Sequence, residues 1–486
     1  MNQQKIIIIN NTETTDLTLN HHHNLSFDEI IELPPRKILQ FKDLTYIANT
    51  LSSYFQQKVI LAEFENNKKK YVLEYAKNTF DLIGGNTVIA FGLTLKNLAG
   101  SSIKDKVKNL FDADYLLKKL KYISEIYRAV VDFSYAENAT YITNKMLKIY
   151  KMKQANISKF MKKTGRPTTD GSTCHTIDIE DKEKNKAKGI IANCKQFEEV
   201  AVYKNHHWLA ITITCPPKFH IKPKFGRRLW DGILTPIDCN DFLNTIWINL
   251  KRKLGKLSIS IYGHWCKEPN ESMAIHMHIL IYCSSNHIET IKKWTNHYSE
   301  AQFDKFDSDF IDGTSVKFDQ GDCQTYQKLK NSKNATISQY INKHLLQCLN
   351  IAADKSVNNK RNKINNNGES DLDIYEKVKA HADKFSYKRY TFFGVSECLK
   401  VWRELKRFVT QQDIPEFVNE AFTELLTLAK NNNFKGFLTS KFKNIVSLLY
   451  KPVHGVNHNK HSELKTKIAG ININGIDYVT LKDYLD

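Results

Sequence analysis

The segment Ile275-His276-Met277-His278-Ile279-Leu280-Ile281-Tyr282 constrains this chain more than any other. Its residues alternate. Ile275, Met277, Ile279 and Ile281 project to one side of an extended strand, while His276, His278, Leu280 and Tyr282 project to the other. An apolar face of that length anchors the strand in a core, and two imidazoles at adjacent positions of the opposite face come within reach of one cation. A pair of satisfied structural histidines would show the same pattern, so the reading as ligands depends on what accompanies them.

Three features accompany them. Glu268 stands eight positions before His276, on the preceding strand of an expected hairpin whose turn spans 269–272, and supplies a third donor. Two nitrogens and an oxygen suit Mg²⁺ or Mn²⁺, although imidazole also accepts Zn²⁺ or Co²⁺. Downstream, residues 335–346 read as a helix with Ile337, Ile341 and Leu345 on its apolar stripe and Thr336, Tyr340, Lys343 and His344 on another side. A phenol with a pKa of about 10 is a poor nucleophile at neutral pH. A divalent cation that draws charge from the non-bridging phosphate oxygens would let Tyr340 attack a phosphodiester, leaving a 5′-phosphotyrosine and a free 3′ hydroxyl, with the Lys343 ammonium beside it.

The third feature is charge. Lys and Arg total 71 against 52 Asp and Glu, a net +19 that suits a polyanionic substrate. No run approaches the roughly 20 apolar residues of a membrane span, and Lys5-Ile6-Ile7-Ile8-Ile9 is too short for a signal sequence, so the expected location is the cytoplasm, with no membrane partner. Nine cysteines without a Cys-x-x-Cys pair argue against a zinc ribbon and a disulfide framework. The absence of Gly-x-x-x-x-Gly-Lys-[Ser/Thr] argues against an ATP-driven helicase in this sequence.

The expected fold class is α+β, a central antiparallel sheet flanked by helices, with helical N-terminal and C-terminal regions. The expected order is a polar tail (1–25), a helical region (26–164), a linker (165–187), a core (188–350), a flexible loop (351–372) and a helical C-terminal region ending in a hairpin with an Asn474-Gly475 turn (373–486). Within this order, 41–55, 68–81, 116–133, 141–161, 189–203, 241–254 and 288–298 read as helices, and 208–214, 257–262 and 390–393 as strands.

Four patches then resemble, in order, the phage replication gene A proteins, rolling-circle initiators of the His-hydrophobic-His (HUH) endonuclease superfamily. Ala210 to His220, containing Thr212-Ile213-Thr214-Cys215-Pro216, resembles that family's Thr-Leu-Thr-Cys-Pro-Ser-x-x-His strand. Tyr262-Gly263 with Glu268-Pro269 and His276-Met277-His278 resembles its Tyr-Gly, Glu-Pro-His and Pro-His-Trp-His segments. Residues 335–343 resemble its nucleophile helix, and Tyr390 to Gly394 with Trp402-Arg403-Glu404-Leu405 resembles its Phe-x-Phe-x-Gly and Trp-Arg-Glu-Leu-Arg signatures.

The resemblance implies an HUH, RRM-like nickase core that opens a phage or prophage origin for rolling-circle replication. It implies His276, His278 and Glu268 as metal ligands, Tyr340 as nucleophile with Lys343 beside it, and Thr212, Thr214, Lys218 and Arg403 as DNA contacts. Its partners would be single-stranded or supercoiled origin DNA and a host helicase, in the bacterial cytoplasm. A relaxase or transposase of the same superfamily, and a catalytically inactive DNA-binding relative, are the alternatives. Family members carry two tyrosines four residues apart on the nucleophile helix. Here Thr336 and Gln339 stand where the first Tyr and first Lys would be.

Overall fold

The computed structural model describes residues 30, 33, 35–41, 44–64, 68–73, 88–91, 93–94, 98–100, 103–163, 166–167, 173–174, 179–222, 229–306, 316–323, 371–394, 396–411, 420–431, 433–440, 446–452, 466–473 and 476–479. The chain divides into two compact units, residues 1–127 and 128–486. The fold class is α+β, and no helix among the described residues is long and apolar enough to cross a membrane.

The first unit contains helices α1 (Leu44–Lys58) and α2 (Ile103–Phe111), the start of α3 (Ala113–Tyr135), and two antiparallel strand pairs, β1 (Val59–Phe64) with β2 (Lys68–Leu73) and β3 (Val88–Ala90) with β4 (Leu93–Thr94). Ile47, Leu51 and Phe55 of α1 share a core with Leu116 and Leu120 of α3. The expected helix at 68–81 is corrected here: its described part is a strand. Val72 pairs with Ile60, Tyr71 with Leu61 and Lys69 with Glu63 in an antiparallel register, and the β-branched and aromatic residues of both segments favour strand over the weak helical spacing.

The second unit is organised by a five-stranded antiparallel sheet in the order β10-β7-β9-β8-β11. Its strands are β7 (His207–Thr214), β8 (Tyr262–Pro269), β9 (Ile275–Cys283), β10 (Val316–Asp322) and β11 (Tyr390–Phe393). Two short strands, β5 (Arg166–Pro167) and β6 (Thr173–Cys174), precede the sheet. The surrounding helices are α4 (Asn144–Lys163), α5 (Ile179–Tyr203), α6 (Pro236–Lys256), α7 (Ile288–Phe306), α8 (Asp371–Lys384), α9 (Ser396–Gln411), α10 (Glu420–Lys430) and α11 (Phe434–Thr439). Strands β12 (Val446–Pro452), β13 (Thr466–Ile473) and β14 (Ile476–Val479) form a separate antiparallel sheet. The expected terminal hairpin is β13–β14, and β12 adds a strand the sequence did not announce; the Asn474-Gly475 turn lies outside the described residues.

Two other boundaries differ from expectation. The strand placed at 257–262 begins only at Tyr262. Leu257 instead closes α6 by donating to the Lys253 carbonyl at 3.1 Å, Ile259 donates to the Leu254 carbonyl at 2.9 Å, and Ser258 takes φ +55°, which breaks any extended run. Helix α5 begins ten residues before the expected Gly189, because its Lys- and Glu-rich opening forms helix by propensity without showing an apolar stripe.

One face of the sheet packs on α6. That helix starts at a capping box in which the Thr235 backbone N–H and hydroxyl both donate to the Asp238 carboxylate, with Pro236 in the first turn. Ile275, Met277, Ile279 and Ile281 are all fully buried on this face, and Trp247 of α6 packs against Phe393 with ring centroids 4.7 Å apart and the planes tilted by 58°. Lys267 is buried there too. Its ammonium donates to Asn240 Oδ1 and Asn244 Oδ1, both at 2.6 Å, and burial lowers its pKa to about 8.

The other face is covered over half its length. Phe197, Val200 and Ala201 of α5 join Leu280, Tyr282 and Tyr262 in a core shared with Trp402 and Leu405 of α9 and with α10 and α11. Two motif glycines permit close approach of backbone within the sheet. A Cβ on Gly263 (φ +151°) would lie 2.0 Å from the Leu280 carbonyl oxygen, and one on Gly394 (φ +80°) would lie 2.2 Å from that of Ile261.

Candidate active site

Register brings the polar residues of three adjacent strands into one row. Thr214 of β7 lies opposite His276 of β9, which lies opposite Glu268 of β8. One step along, Thr212 faces His278, which faces Cys266. The two threonines, the two histidines and Glu268 are partly exposed, whereas Cys266 is covered by Ile190 and Cys194 of α5. His276, His278 and Glu268 are half-buried.

The imidazoles lie parallel, with an interplanar angle of 7° and ring centroids 6.4 Å apart. Each is held at Nδ1 by a threonine hydroxyl, Thr212 Oγ1 to His278 and Thr214 Oγ1 to His276, both at 3.1 Å. His278 Nε2 lies 3.1 Å from Glu268 Oε1. The hydroxyl suits two states of the ring, since it can donate to a bare Nδ1 or accept from a protonated one. With Nε2–H donating to Glu268, Thr212 donates to Nδ1; with Nε2 carrying its lone pair outward, Nδ1–H donates to Thr212 instead.

The donor set therefore fits a divalent cation: two imidazoles oriented at Nδ1 and a carboxylate on the neighbouring strand. Among the described residues, no three or more His, Cys, Asp or Glu side chains converge as a ready-made ligand cluster. The His278–Glu268 hydrogen bond occupies the space between two of the three expected donors, and an ion would take its place.

A second layer fixes the turn that joins β8 to β9. His220 Nε2 donates to the Cys215 carbonyl at 3.2 Å, while its Nδ1 lies 2.8 Å from Ser272 Oγ and 3.3 Å from Asn270 Nδ2. On the other side, the fully buried His381 of α8 donates from Nε2 to the Met273 carbonyl at 3.2 Å and meets the Tyr387 hydroxyl at Nδ1 (3.0 Å). Burial lowers both pKa values, that of His381 to about 3, so these rings are neutral clamps. Met273 itself sits at φ +73°. Neither clamp is visible as such in sequence, because His381 is 108 residues away from its partner.

Of the remaining expected site residues, Lys218 donates to the Phe306 carbonyl at 2.9 Å, tying β7's exit to α7. Arg403 is exposed on α9, while Trp402, Glu404 and Leu405 on either side of it are buried. Tyr340 and Lys343, with the rest of 324–370, lie outside the described residues.

The sequence profile of the bacteriophage replication gene A protein (GPA) family matches residues 46–360, well over half of the chain. The chain belongs to that family. Similar proteins include the "Replication protein" of Haemophilus phage HP1, 26% identical over 235 residues, which are 48% of this chain and 28% of the relative. The "Probable replication protein P12" of Pseudoalteromonas phage PM2 is 20% identical over 333 residues, 66% of this chain and 49% of the relative. The "Replication gene A protein" of Escherichia phage 186 is 23% identical over 256 residues, 48% of this chain and 34% of the relative. The matches thus span less than half of each of these relatives. No solved structure matches the chain.

Proposed function

We propose that this protein is a site-specific DNA nickase of the HUH type that initiates rolling-circle replication. The observation that supports it best is the Thr–His–Glu row. Two parallel imidazoles, each fixed at Nδ1 by a hydroxyl of β7, stand beside a carboxylate on β8. This is an arrangement that orients nitrogen ligands before any substrate arrives. A divalent cation such as Mg²⁺ or Mn²⁺, bound there, would neutralise charge on the non-bridging oxygens of the scissile phosphate.

The chain's own residues do the rest. His276, His278 and Glu268 fix the position at which the phosphate is held, and the hairpin clamps His220 and His381 keep β8 and β9 in register beneath it. Tyr340 attacks phosphorus in line; the P–O3′ bond breaks, the 3′ oxygen leaves as a hydroxyl after taking a proton, and the 5′ phosphate stays on the phenol oxygen. Lys343, three residues on, stabilises the phenolate. The phosphotyrosine conserves the energy of the broken bond, so the same site can rejoin the strand. With Thr336 in place of a second tyrosine, a single Tyr340 carries each cleavage.

The test uses supercoiled plasmid bearing the protein's own gene, with Mn²⁺ or with EDTA. The wild type is expected to relax the plasmid only with the ion and to leave a covalent protein–DNA adduct. Tyr340→Phe is expected to lose both nicking and adduct while still binding the DNA. Nicking by Tyr340→Phe at the wild-type rate would eliminate Tyr340 as nucleophile, and binding without any adduct in the wild type would leave a non-catalytic DNA-binding protein.

A further inference from the structure

A cleft of about 750 Å³ opens at the β11 edge of the sheet, walled by α4, α8, α9 and the segment 386–392. Its charged lining is almost entirely cationic. Lys379, Lys388, Arg389, Lys400 and Arg403 face it against one carboxylate, Asp383, which is itself 3.0 Å from Lys153. Five cations lining one concavity give it a positive potential that attracts a polyanion.

Aromatic rings stand among the cations. Tyr150, Tyr390 and Phe392 line the same cleft. Tyr390 and Phe392 are half-buried, and the Tyr390 phenol lies in the field of both Arg389 and Arg403. The Lys379 ammonium lies 5.9 Å from the Tyr150 ring. Rings interleaved with cations suit a ligand that offers flat apolar faces and regularly spaced negative charges together. An unpaired nucleic-acid strand does so, its bases free to stack and its phosphates within reach of Lys and Arg. A duplex does not, because its base faces are taken up by its own stack.

The cleft and the site lie on the same face of the sheet, with Cys266 and the α5 residues Ile190 and Cys194 packed between them. Tyr390 of the edge strand β11 is opposite Cys266 of β8, and Cys266 is opposite His278 of β9. Tyr390 and His278 thus project from one face of the sheet, two strand spacings or about 10 Å apart.

We propose that this cleft holds the single DNA strand that flanks the scissile phosphate, stacking bases on Tyr390 and Phe392 and gripping phosphates with Lys388, Arg389 and Arg403. The proposal rests on the nickase reading for the identity of the strand. It assigns the cleft a role that makes an unwound origin, and not intact duplex, the form that is engaged.

Fluorescence anisotropy of the full chain with labelled oligo(dT) in EDTA tests the cleft without any strand scission, and the same preparations are assayed in parallel for nicking with Mn²⁺. Lys388→Glu combined with Arg403→Glu, two exposed positions, is expected to weaken oligo(dT) binding at least tenfold. It should also flatten the plot of log K against log salt by about 1.4, or about 0.7 for each lost phosphate contact. Tyr390→Leu is expected to weaken binding about 5- to 100-fold with the salt slope unchanged, and Tyr390→Phe to restore it to within about twofold. Thermal melts confirm that each variant is folded. Unchanged affinity and slope in these variants, or blunt duplex of equal length bound as tightly as oligo(dT), overturns the proposal. Loss of oligo(dT) binding in the variants of a wild type that never nicks sustains the cleft and overturns the nickase reading. A wild type that nicks, with variants that bind as it does, overturns the cleft alone.

Discussion

The two faces of β9 arise from one alternating sequence and end in opposite environments. Toward α6, Ile275, Met277, Ile279 and Ile281 are all fully buried, and their neighbours Ile213 and Ile211 of β7 are buried with them. On the other side Leu280 and Tyr282 are covered, by α5 and the C-terminal helices, while His276 and His278 are only partly buried. The strand's periodicity determines which way each side chain points. A helix that precedes the sheet determines how far the cover extends, and the candidate site is the part of the polar-bearing face that it leaves open.

Adjacent residues on the two faces give the sharpest contrast. His278→Ala is expected to lower metal-dependent nicking by about 10³-fold or more, equivalent to about 4 kcal/mol of barrier, with little change in melting temperature. Ile279→Ala leaves a cavity against α6 and is expected to cost about 2–5 kcal/mol of stability, with the folded fraction still nicking at the wild-type rate. Urea unfolding and a nicking assay on both variants check this. If His278→Ala unfolded as readily as Ile279→Ala while its folded fraction nicked normally, the open face would be structural and the contrast would collapse.

How much of this was legible in the sequence follows from the same contrast. The alternation at 275–282 and Glu268 on the preceding strand are local signals, and the hairpin places both as expected. The α+β class and the antiparallel central sheet were legible for the same reason. The support of the site was not. Thr212 and Thr214 looked like residues available to DNA, yet their hydroxyls meet the two Nδ1 atoms from 66 and 62 residues away. That pairing depends on β7 lying next to β9, which no local period encodes. The strand at 68–73 was misread because three lysines obscure a short alternation, and α5's early start because charged helix formers carry no apolar stripe.

Thr212→Val keeps the side chain's shape and removes its hydroxyl, so it separates the two roles open to this residue. If the hydroxyl orients His278, Mn²⁺ affinity measured by calorimetry is expected to fall about 10–100-fold, or about 1.4–2.8 kcal/mol, with oligo(dT) binding in EDTA unchanged. Thr214→Val should act in the same direction through His276. Unchanged Mn²⁺ affinity with weakened DNA binding would make both threonines DNA contacts and would remove the β7 hydroxyls from the ligand-orienting network.

The covered imidazoles extend the comparison to pH. His381 is wholly buried between Met273 and Tyr387, and burial holds its pKa near 3; His264, buried on the half of the face that α5 covers, is held near 4. In the unfolded chain each has an ordinary imidazole pKa of about 6.5. Between these limits the unfolded state binds more protons than the folded one, so stability is full above about pH 6.5 and falls as pH drops, by up to about 1.4 kcal/mol per pH unit for each such group. His381→Gln removes one titrating group and keeps an amide that can donate to the Met273 carbonyl. Its urea-unfolding free energy, measured at pH 6.5, 5.5 and 4.5, is expected to fall less steeply than the wild type's by about 1.4 kcal/mol per unit over the acid part of that range. Parallel slopes would mean that His381 takes up its proton in the folded state, and that the turn leading into β9 is held by something other than a neutral ring.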